Sequence, residues 1–222
     1  MLESILSKTH FHPVIKCNPD NFVAINLSQT NNELSKIDLK NTVEFANYIN
    51  TYLIKSKATV AIGGYNEPRN IYKRSTNFNN NDADERFIHL GIDLWTSADT
   101  PVYSPLKGTI HSFNNNKGLG NYGPTIILEH SIENQPFYTL YGHLTTLSLN
   151  DLFIGKTIGG GEVFAAIGNY PDNGDYPPHL HFQIIKNIGN YLGDFPGVTS
   201  LKNQEKDLAN CPNPNLILRF SK

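Results

Sequence analysis

The chain has 222 residues, of which 39% are hydrophobic and 11% aromatic, enough for a globular domain with a buried core. Its formal net charge of −2 excludes a broad basic face, so we expect no nucleic-acid partner. No run in the sequence approaches the ~20 apolar residues of a membrane helix, so no membrane span is expected.

The N-terminal part of the chain predicts one strand and one helix. The strand is expected over residues 22–27, and residues 38–56 carry apolar side chains at the three- and four-residue spacing typical of an amphipathic helix. The first residues lack the charged start, apolar run and cleavage site of a secretory signal. This indicates a cytoplasmic protein, or one exported by a route that the sequence does not display.

From Arg86 onward, short apolar or alternating segments follow one another closely, after a polar Asn- and Asp-rich loop at residues 77–84. Turns rich in Gly, Pro and Asn separate them, a pattern that favours a mainly β fold of the antiparallel sandwich or barrel type. The segments lie at residues 91–94, 101–104, 108–113, 125–130, 137–144 and 179–185.

The C-terminal segment follows Pro212 and Pro214, and residues 216–220 predict a last strand that packs back on the domain. Cys17 and Cys211 lie far apart in the sequence and form no metal-binding pair. We interpret them as two ordinary thiols, with a disulfide between the two ends as the alternative.

His89 and Asp93 are the first candidates for metal ligands. On an extended strand, even spacing places both side chains on one face, and Gly91 between them favours extended or irregular backbone. A neutral imidazole and a carboxylate both bind zinc, at ~2.0–2.2 Å.

A second histidine pair, His179 and His181, follows two prolines and opens a strand-like run. Its i, i+2 spacing places both imidazoles on one face of a strand and Leu180 on the other. One imidazole could then bind a metal while its neighbour reaches the open side of the ion. The alternative is a pair of surface histidines.

His143 lies within the apolar run at residues 137–144, directly after Gly142. A histidine there is expected to be partly buried, and a structural histidine of the core is the alternative interpretation. Three metal donors and two further histidines are the components of a catalytic zinc site, which keeps an open position beside an acid–base group.

Several segments in this order resemble the M23 family of zinc metallopeptidases, the lysostaphin/LytM-like peptidoglycan endopeptidases. The resemblance covers residues 86–185, somewhat under half of the chain. The matching segments are Arg86-x-x-His89-x-Gly91-x-Asp93, residues 100–105, residues 107–110, Gly120 to Gly123 with residues 125–130, residues 138–144 and the pair at 179 and 181.

The resemblance implies zinc ligands at His89, Asp93 and His181, and catalytic histidines at His143 and His179. His179 would act as general base and His143 as an orienting or oxyanion-stabilising group, although the two roles could be exchanged. The implied activity is a zinc-dependent metalloendopeptidase, and the implied substrate is a stem peptide or cross-bridge of peptidoglycan. Such a wall hydrolase would be expected in the cell envelope.

The implied domain layout has three parts. Residues 1–80 would be an N-terminal extension with one amphipathic helix, packed on or covering the catalytic domain. Residues 81–190 would be the M23-like β domain, and residues 191–222 a tail that packs back on it. Within the extension, residues 63–69 are predicted to form a turn; a pro-region contact of Asn66 or Glu67 with zinc is the alternative.

The sequence departs from the family in the segment at residues 170–178, which is acidic and aromatic rather than Gly-, Ser- and Thr-rich. It is expected to line one wall of the substrate groove, so the carried-over specificity stays open. Two alternative functions also stay open: an intracellular zinc hydrolase acting on another peptide or amide, and a non-catalytic binding or regulatory module on the same fold. The remaining histidines at positions 10, 12, 111 and 130 are interpreted as packing or surface residues.

Overall fold

A computed structural model of the chain describes residues 2–74 and 85–220. Within these ranges the fold is mainly β with few helices, which confirms the predicted class. The loop predicted at residues 77–84 lies outside the described residues. No helix in the described part of the chain is long and apolar enough to cross a membrane.

The strands form one large sheet and two small ones. The large sheet has eight strands in the order β1-β2-β4-β11-β8-β7-β6-β9, and β10-β5 and β12-β3 form two-stranded sheets. In chain order the strands are β1 (Phe22–Ile25), β2 (Val60–Gly63), β3 (Ile88–His89), β4 (Ile92–Trp95), β5 (Pro101–Tyr103), β6 (Gly108–Asn116), β7 (Gly123–Ile132), β8 (Gln135–Gly142), β9 (Thr157–Ile158), β10 (Val163–Ala166), β11 (His179–Ile185) and β12 (Val198–Thr199).

The N-terminal strands are part of the large sheet. β1 pairs parallel with β2, and β2 pairs antiparallel with β4, so that Gly63 lies opposite Asp93. β1 falls within the strand predicted at residues 22–27. The domain boundaries at residues 80 and 190 stay predictions. The large sheet, however, contains strands from both sides of the boundary at residue 80.

The helices are α1 (Leu2–Lys8), α2 (Thr42–Ser56), α3 (Gln204–Asn210) and α4 (Asn215–Leu218). The predicted helix at residues 38–56 is confirmed as α2, but it begins later. The Asn41 side chain accepts hydrogen bonds from the backbone N–H groups of Val43 and Glu44, which caps the helix there. α2 buries Phe45 and Ile49.

The prediction of a strand at residues 216–220 is wrong, because residues 216–218 lie in the helix α4. Pro214 has φ −60°, the value that a helix requires, and its carbonyl accepts hydrogen bonds from the N–H groups of Ile217 and Leu218. Arg219 then adopts a left-handed conformation with φ 58° and ends the helix. The apolar side chains at positions 216–218 therefore pack on the core from one turn of helix.

β4 and β11 lie next to each other near the middle of the large sheet. On β11, Leu180 and Phe182 are fully buried in the main apolar core, while the side chains that alternate with them lie on the opposite face. Trp95 of β4 belongs to a second apolar cluster, with Phe45 of α2. The candidate site lies on the same face of β4 and β11 as Trp95.

Candidate metal centre and active site

The antiparallel pairing of β4 with β11 determines where the predicted site residues lie. His181 lies opposite Asp93, and His179 lies opposite Trp95. On its other side β11 pairs with β8, where Gly142 lies opposite His181. Because directly opposed residues share a face, the register brings the 179–181 pair together with Asp93 and the end of β8.

Three buried side-chain atoms converge at this place. His89 Nε2 lies 3.0 Å from His181 Nδ1 and 3.3 Å from Asp93 Oδ1, and His181 Nδ1 lies 3.2 Å from Asp93 Oδ1. Zinc bonds of 2.0–2.1 Å at tetrahedral angles would separate neighbouring ligand atoms by about 3.3–3.4 Å. Among the described residues, these three form the group of histidine, cysteine and acidic side chains that could hold a metal ion.

The protons of the two imidazoles are directed away from the point of convergence. His89 Nδ1 donates to the Gly64 carbonyl at 2.9 Å, and His181 Nε2 donates to Gln183 Oε1 at 2.9 Å. His89 Nε2, His181 Nδ1 and Asp93 Oδ1 therefore present lone pairs to one another without a proton among them. Such an arrangement is repulsive unless a cation lies between the atoms, so the donor set fits a metal ion.

The even spacing of His89 and Asp93 suggested that both lie on one strand, but they lie on two different strands. β3 ends at His89 and β4 begins at Ile92, with Leu90 and Gly91 between them. A Cβ atom on Gly91 would lie 2.5 Å from Cε1 of His181. Gly91 is therefore required because the His181 ring packs directly on its backbone.

The second oxygen of Asp93 is also engaged. Arg69 Nη1 donates to Asp93 Oδ2 at 2.5 Å, and Arg69 Nε donates to Glu67 Oε2 at 2.5 Å. Burial alone would raise the pKa of Asp93, but its interactions with the His89 imidazole and the Arg69 guanidinium hold it well below its usual value. Asp93 is therefore ionised, as a metal ligand must be.

His143 and His179 lie beside the three donors, with their ring centroids 4.1 Å apart. His143 Nδ1 donates to the Asn173 carbonyl at 2.7 Å, and His179 Nδ1 donates to the Pro177 carbonyl at 2.8 Å. In both rings Nε2 is therefore the atom left to accept a proton. His179 Nε2 lies 4.0 Å from Asp93 Oδ1.

Burial keeps these imidazoles neutral. It lowers the pKa of His179 to about 4, and together with the neighbouring His179 it lowers the pKa of His143 well below its ordinary value. Burial followed by the Arg69 charge likewise lowers the pKa of His89 to about 4. Neutral imidazoles are the form that binds metals and accepts protons.

A cleft with aromatic walls opens over the site, and its lining includes both catalytic candidates. A Cβ atom on Gly142 would lie 2.5 Å from the Tyr122 ring, and one on Gly197 would lie 1.9 Å from the Tyr122 hydroxyl. These two glycines therefore allow Tyr122 to pack at the base of the cleft. The lining residues are Arg69, Ile71, Tyr72, Asp93, Trp95, Gly120, Asn121, Tyr122, His143, Tyr176, His179, His181, Gly197 and Val198.

The segment at residues 170–178 contributes to this wall through Tyr176. Asn173 of the same segment is fully buried, and its side chain binds the main chain of Gly168 and Tyr176. The segment thus holds the carbonyl that orients His143.

The remaining histidines and cysteines lie outside the site. His130 is buried and binds the Lys107 carbonyl and the Thr139 hydroxyl, and His111 contacts Ser112, as expected for packing residues. Both cysteines are free thiols. Cys211 Sγ accepts a hydrogen bond from Gln183.

Asn66 and Glu67, the candidates for a pro-region contact, are directed elsewhere. Asn66 Oδ1 accepts a hydrogen bond from Gln204, and Glu67 binds Arg69 and the Leu27 N–H. The turn interpretation of this segment agrees with the geometry. Sequence reasoning missed Arg69, Gln183 and Trp95, since their contacts to the site are made across the fold.

One protein-family model matches the part of the chain that carries these residues. Residues 87–192, which contain all five candidate residues, match peptidase family M23. A sequence comparison with curated proteins finds no match.

Among solved structures, the chain is similar to the catalytic domain of the antimicrobial peptidase lysostaphin from Staphylococcus simulans. The identity is 20%, with 72% of this chain and 97% of that chain covered, at a TM-score of 0.43. The catalytic domain of the prophage-encoded M23 protein EnpA from Enterococcus faecalis is 19% identical, with 50% and 79% covered and a TM-score of 0.37.

A Pseudomonas aeruginosa protein assigned to peptidase M23 is 17% identical over 60% of this chain, at a TM-score of 0.39. The chain spans 45% of the length of that protein. The family match and the converging His and Asp side chains lead to one conclusion: the chain carries a peptidase family M23 domain over residues 87–192.

Proposed function

We propose that the protein is a zinc-dependent endopeptidase, with His89, Asp93 and His181 as zinc ligands and His143 and His179 as catalytic residues. The observation that carries this proposal is the convergence of His89 Nε2, Asp93 Oδ1 and His181 Nδ1 within 3.0–3.3 Å, beside two further neutral imidazoles. Two nitrogens and one oxygen with an open side are the donor set of catalytic zinc.

Zinc bound by His89, Asp93 and His181 would supply Lewis acidity towards a peptide carbonyl and a water molecule. The protein supplies the acid–base groups. His179 Nε2 lies 4.0 Å from Asp93 Oδ1, close enough to the donor set to take a proton from the attacking water. The same nitrogen then returns the proton to the leaving amine.

The hydrogen bond from His179 Nδ1 to the Pro177 carbonyl favours this proton transfer. Burial lowers the pKa of His179, whereas the carbonyl stabilises the protonated ring and raises it. A ring fixed at Nδ1 also presents Nε2 in one orientation, which avoids the entropic cost of positioning it during the reaction.

His143 has the complementary role of orienting water or stabilising the developing oxyanion. Its backbone is fixed on both sides, since its N–H donates to the Tyr122 carbonyl and its carbonyl accepts from Gly168 N–H, both at 2.8 Å. Its Nε2 acts as an acceptor when neutral and as a donor once protonated. The roles of the two histidines could be exchanged.

We propose the peptide part of peptidoglycan, as stem peptide or cross-bridge, as the substrate, and hence the cell envelope as the place of action. The resemblance of the sequence motifs to lysostaphin/LytM-like enzymes supports this. The aromatic lining of the cleft beside the five buried side chains offers apolar contacts to a peptide substrate.

The test is mass spectrometry of purified peptidoglycan fragments after incubation with the zinc-loaded protein. His179→Ala and His143→Ala should each reduce cleavage by about 100-fold or more while retaining zinc. The matched control is His111→Ala, which removes a histidine outside the site and should cleave like the unmodified chain.

Three outcomes are informative. Cleavage of stem or bridge peptides that depends on His143 and His179 supports the proposal and identifies the bond. Cleavage of other peptides or amides alone favours the intracellular hydrolase. Zinc binding without any cleavage favours a binding module on the same fold.

A further inference from the structure

The chain between β2 and β3 touches two of the three metal-ligand candidates. Residues 64–69, termed here the support segment, provide the Gly64 carbonyl that accepts the Nδ1 proton of His89. The backbone of the same segment binds the backbone of His89 on both sides, through Asn66 N–H and the Glu67 carbonyl. Its last residue, Arg69, binds Asp93.

The Arg69 side chain is buried and fixed by hydrogen bonds. It is only 1% exposed, and each nitrogen of its guanidinium has a partner. Nε binds Glu67 Oε2, Nη1 binds Asp93 Oδ2, and Nη2 lies 3.3 Å from the Gly64 carbonyl. Burial alone would lower the pKa of Arg69, but Tyr72 and the two carboxylates raise it, so the charge is retained.

This arrangement has a direct consequence for the metal ion. Asp93 Oδ2 is occupied by Arg69, so only Oδ1 is directed at His89 Nε2 and His181 Nδ1. A carboxylate without such a partner is free to rotate and to bind a metal through both oxygens. Partners that orient metal ligands typically change metal affinity by about 10–100-fold when they are removed.

We infer that Arg69 is a positioning residue of the metal centre, which fixes Asp93 as a single-oxygen ligand, and that Glu67 in turn positions Arg69. The inference rests on the proposed function, because it assumes that zinc is held by the three donors. It makes the support segment a component of the metal site.

The test measures zinc affinity by competition with a chromophoric chelator, which requires no substrate. Arg69→Gln should lower the affinity by about 10–100-fold. Glu67→Gln keeps the guanidinium and loses its anchor, so its affinity should fall by a smaller factor. Arg219→Gln is the matched control, since Arg219 binds the main-chain oxygens of Leu6 and Ser7 instead.

Replacement of zinc by cobalt provides a second readout. Four-coordinate Co²⁺ absorbs visible light more strongly than Co²⁺ with more ligands. In Arg69→Gln, Asp93 is free to bind through two oxygens, so the visible absorption should weaken and shift. In Arg219→Gln the spectrum should match that of the unmodified chain.

Unchanged zinc affinity and an unchanged cobalt spectrum in Arg69→Gln would overturn the inference. If Arg69→Gln does not fold, Glu67→Gln decides by the same two measurements. Failure of the proposed function looks different: the unmodified chain would bind zinc and show the Arg69 dependence, yet would cleave no peptide. An unmodified chain that binds no zinc would overturn both.

Discussion

The indole of Trp95 stacks on the imidazole of His179, with ring centroids 3.9 Å apart and 16° between the ring planes. Trp95 is 1% exposed and also packs against Phe45 of α2. The proposed general base is therefore held by a hydrogen bond at Nδ1 and by an aromatic face along its ring. Loss of the indole ring should slow catalysis and leave zinc binding by the three ligands unchanged.

We therefore expect Trp95→Leu to lower kcat by up to about 100-fold at unchanged zinc content, because the His179 ring gains freedom to rotate. Trp95→Phe keeps an aromatic face, and the indole N–H has no hydrogen-bond partner among the described residues, so kcat should fall only a few-fold. Steady-state kinetics and metal analysis measure both effects.

The control for Trp95 is Phe137→Leu, which removes a comparable ring from the stack on His130, at 5.1 Å and 26°. This change should cost stability, about 1 kcal/mol or more, without changing kcat. A Trp95→Leu protein with the kcat of the unmodified chain would contradict the positioning role of Trp95.

Gly91→Ala should abolish tight zinc binding. The added Cβ would lie 2.5 Å from His181 Cε1 and 2.9 Å from the Phe182 carbonyl, so either the ligand or β11 must move. We expect the zinc affinity to fall by more than about 10-fold, as measured by chelator competition.

Gly159→Ala is the matched control for Gly91→Ala, because the nearest atoms to its added Cβ belong to the Glu162 side chain. Its zinc affinity should equal that of the unmodified chain. Equal affinities in both variants would show that the His181 ring is not confined by Gly91.

Zinc should stabilise the folded protein as well as activate it. The three lone-pair donors face one another at 3.0–3.3 Å, and a bound cation removes their repulsion in the folded state alone. At a free zinc concentration 100 times Kd, the gain is about 2.7 kcal/mol. Thermal unfolding with and without a chelator should show a lower Tm for the zinc-free protein, restored by added zinc.

The variant His181→Ala removes one donor and should lose most of this zinc-dependent increase in Tm. A Tm that does not respond to zinc in the unmodified chain would contradict the assignment of the three ligands.

His130 should make the zinc-free protein less stable in mild acid. Burial lowers its pKa to about 4, below the unfolded value of ~6.5, so between these pH values the unfolded state binds more protons. Stability therefore falls as pH decreases through this window, by about 2 kcal/mol between pH 7 and pH 5 for this residue. Urea unfolding of His130→Gln should show a correspondingly weaker pH dependence.

Burial also lowers the pKa values of His89, His143 and His179, so only the difference between His130→Gln and the unmodified chain is informative. A His130→Gln protein with the full pH dependence would show that this imidazole is not protonated on unfolding.

Much of the candidate site was predictable because its residues lie in local patterns. The i, i+2 spacing of His179 and His181 places both rings on one face of β11, and the short separation in sequence keeps His89 and Asp93 near each other. The pairing of β4 with β11 then joins the two pairs. The structure brings these four residues together with His143, as the motifs implied.

The supporting residues were not predictable in this way. Arg69 is 24 residues from Asp93, and Gln183 reaches Cys211 across 28 residues, so their contacts depend on how distant segments are arranged. Likewise, no periodicity in residues 22–25 or 60–63 shows that these strands pair with each other and with β4. The apolar residues at positions 216–220 suggested a strand, whereas Pro214 has a helical φ and lies at the start of the helix α4.

The pairing of β2 with β4 has a practical consequence. The family match begins at residue 87, whereas the strand that covers the outer side of β4 ends at Gly63. A chain cut at that boundary would expose the backbone N–H and C=O groups of a four-residue hydrophobic edge that carries Asp93. Such edges pair with other chains and lead to aggregation, so we expect a soluble fragment that carries this domain to begin before β2.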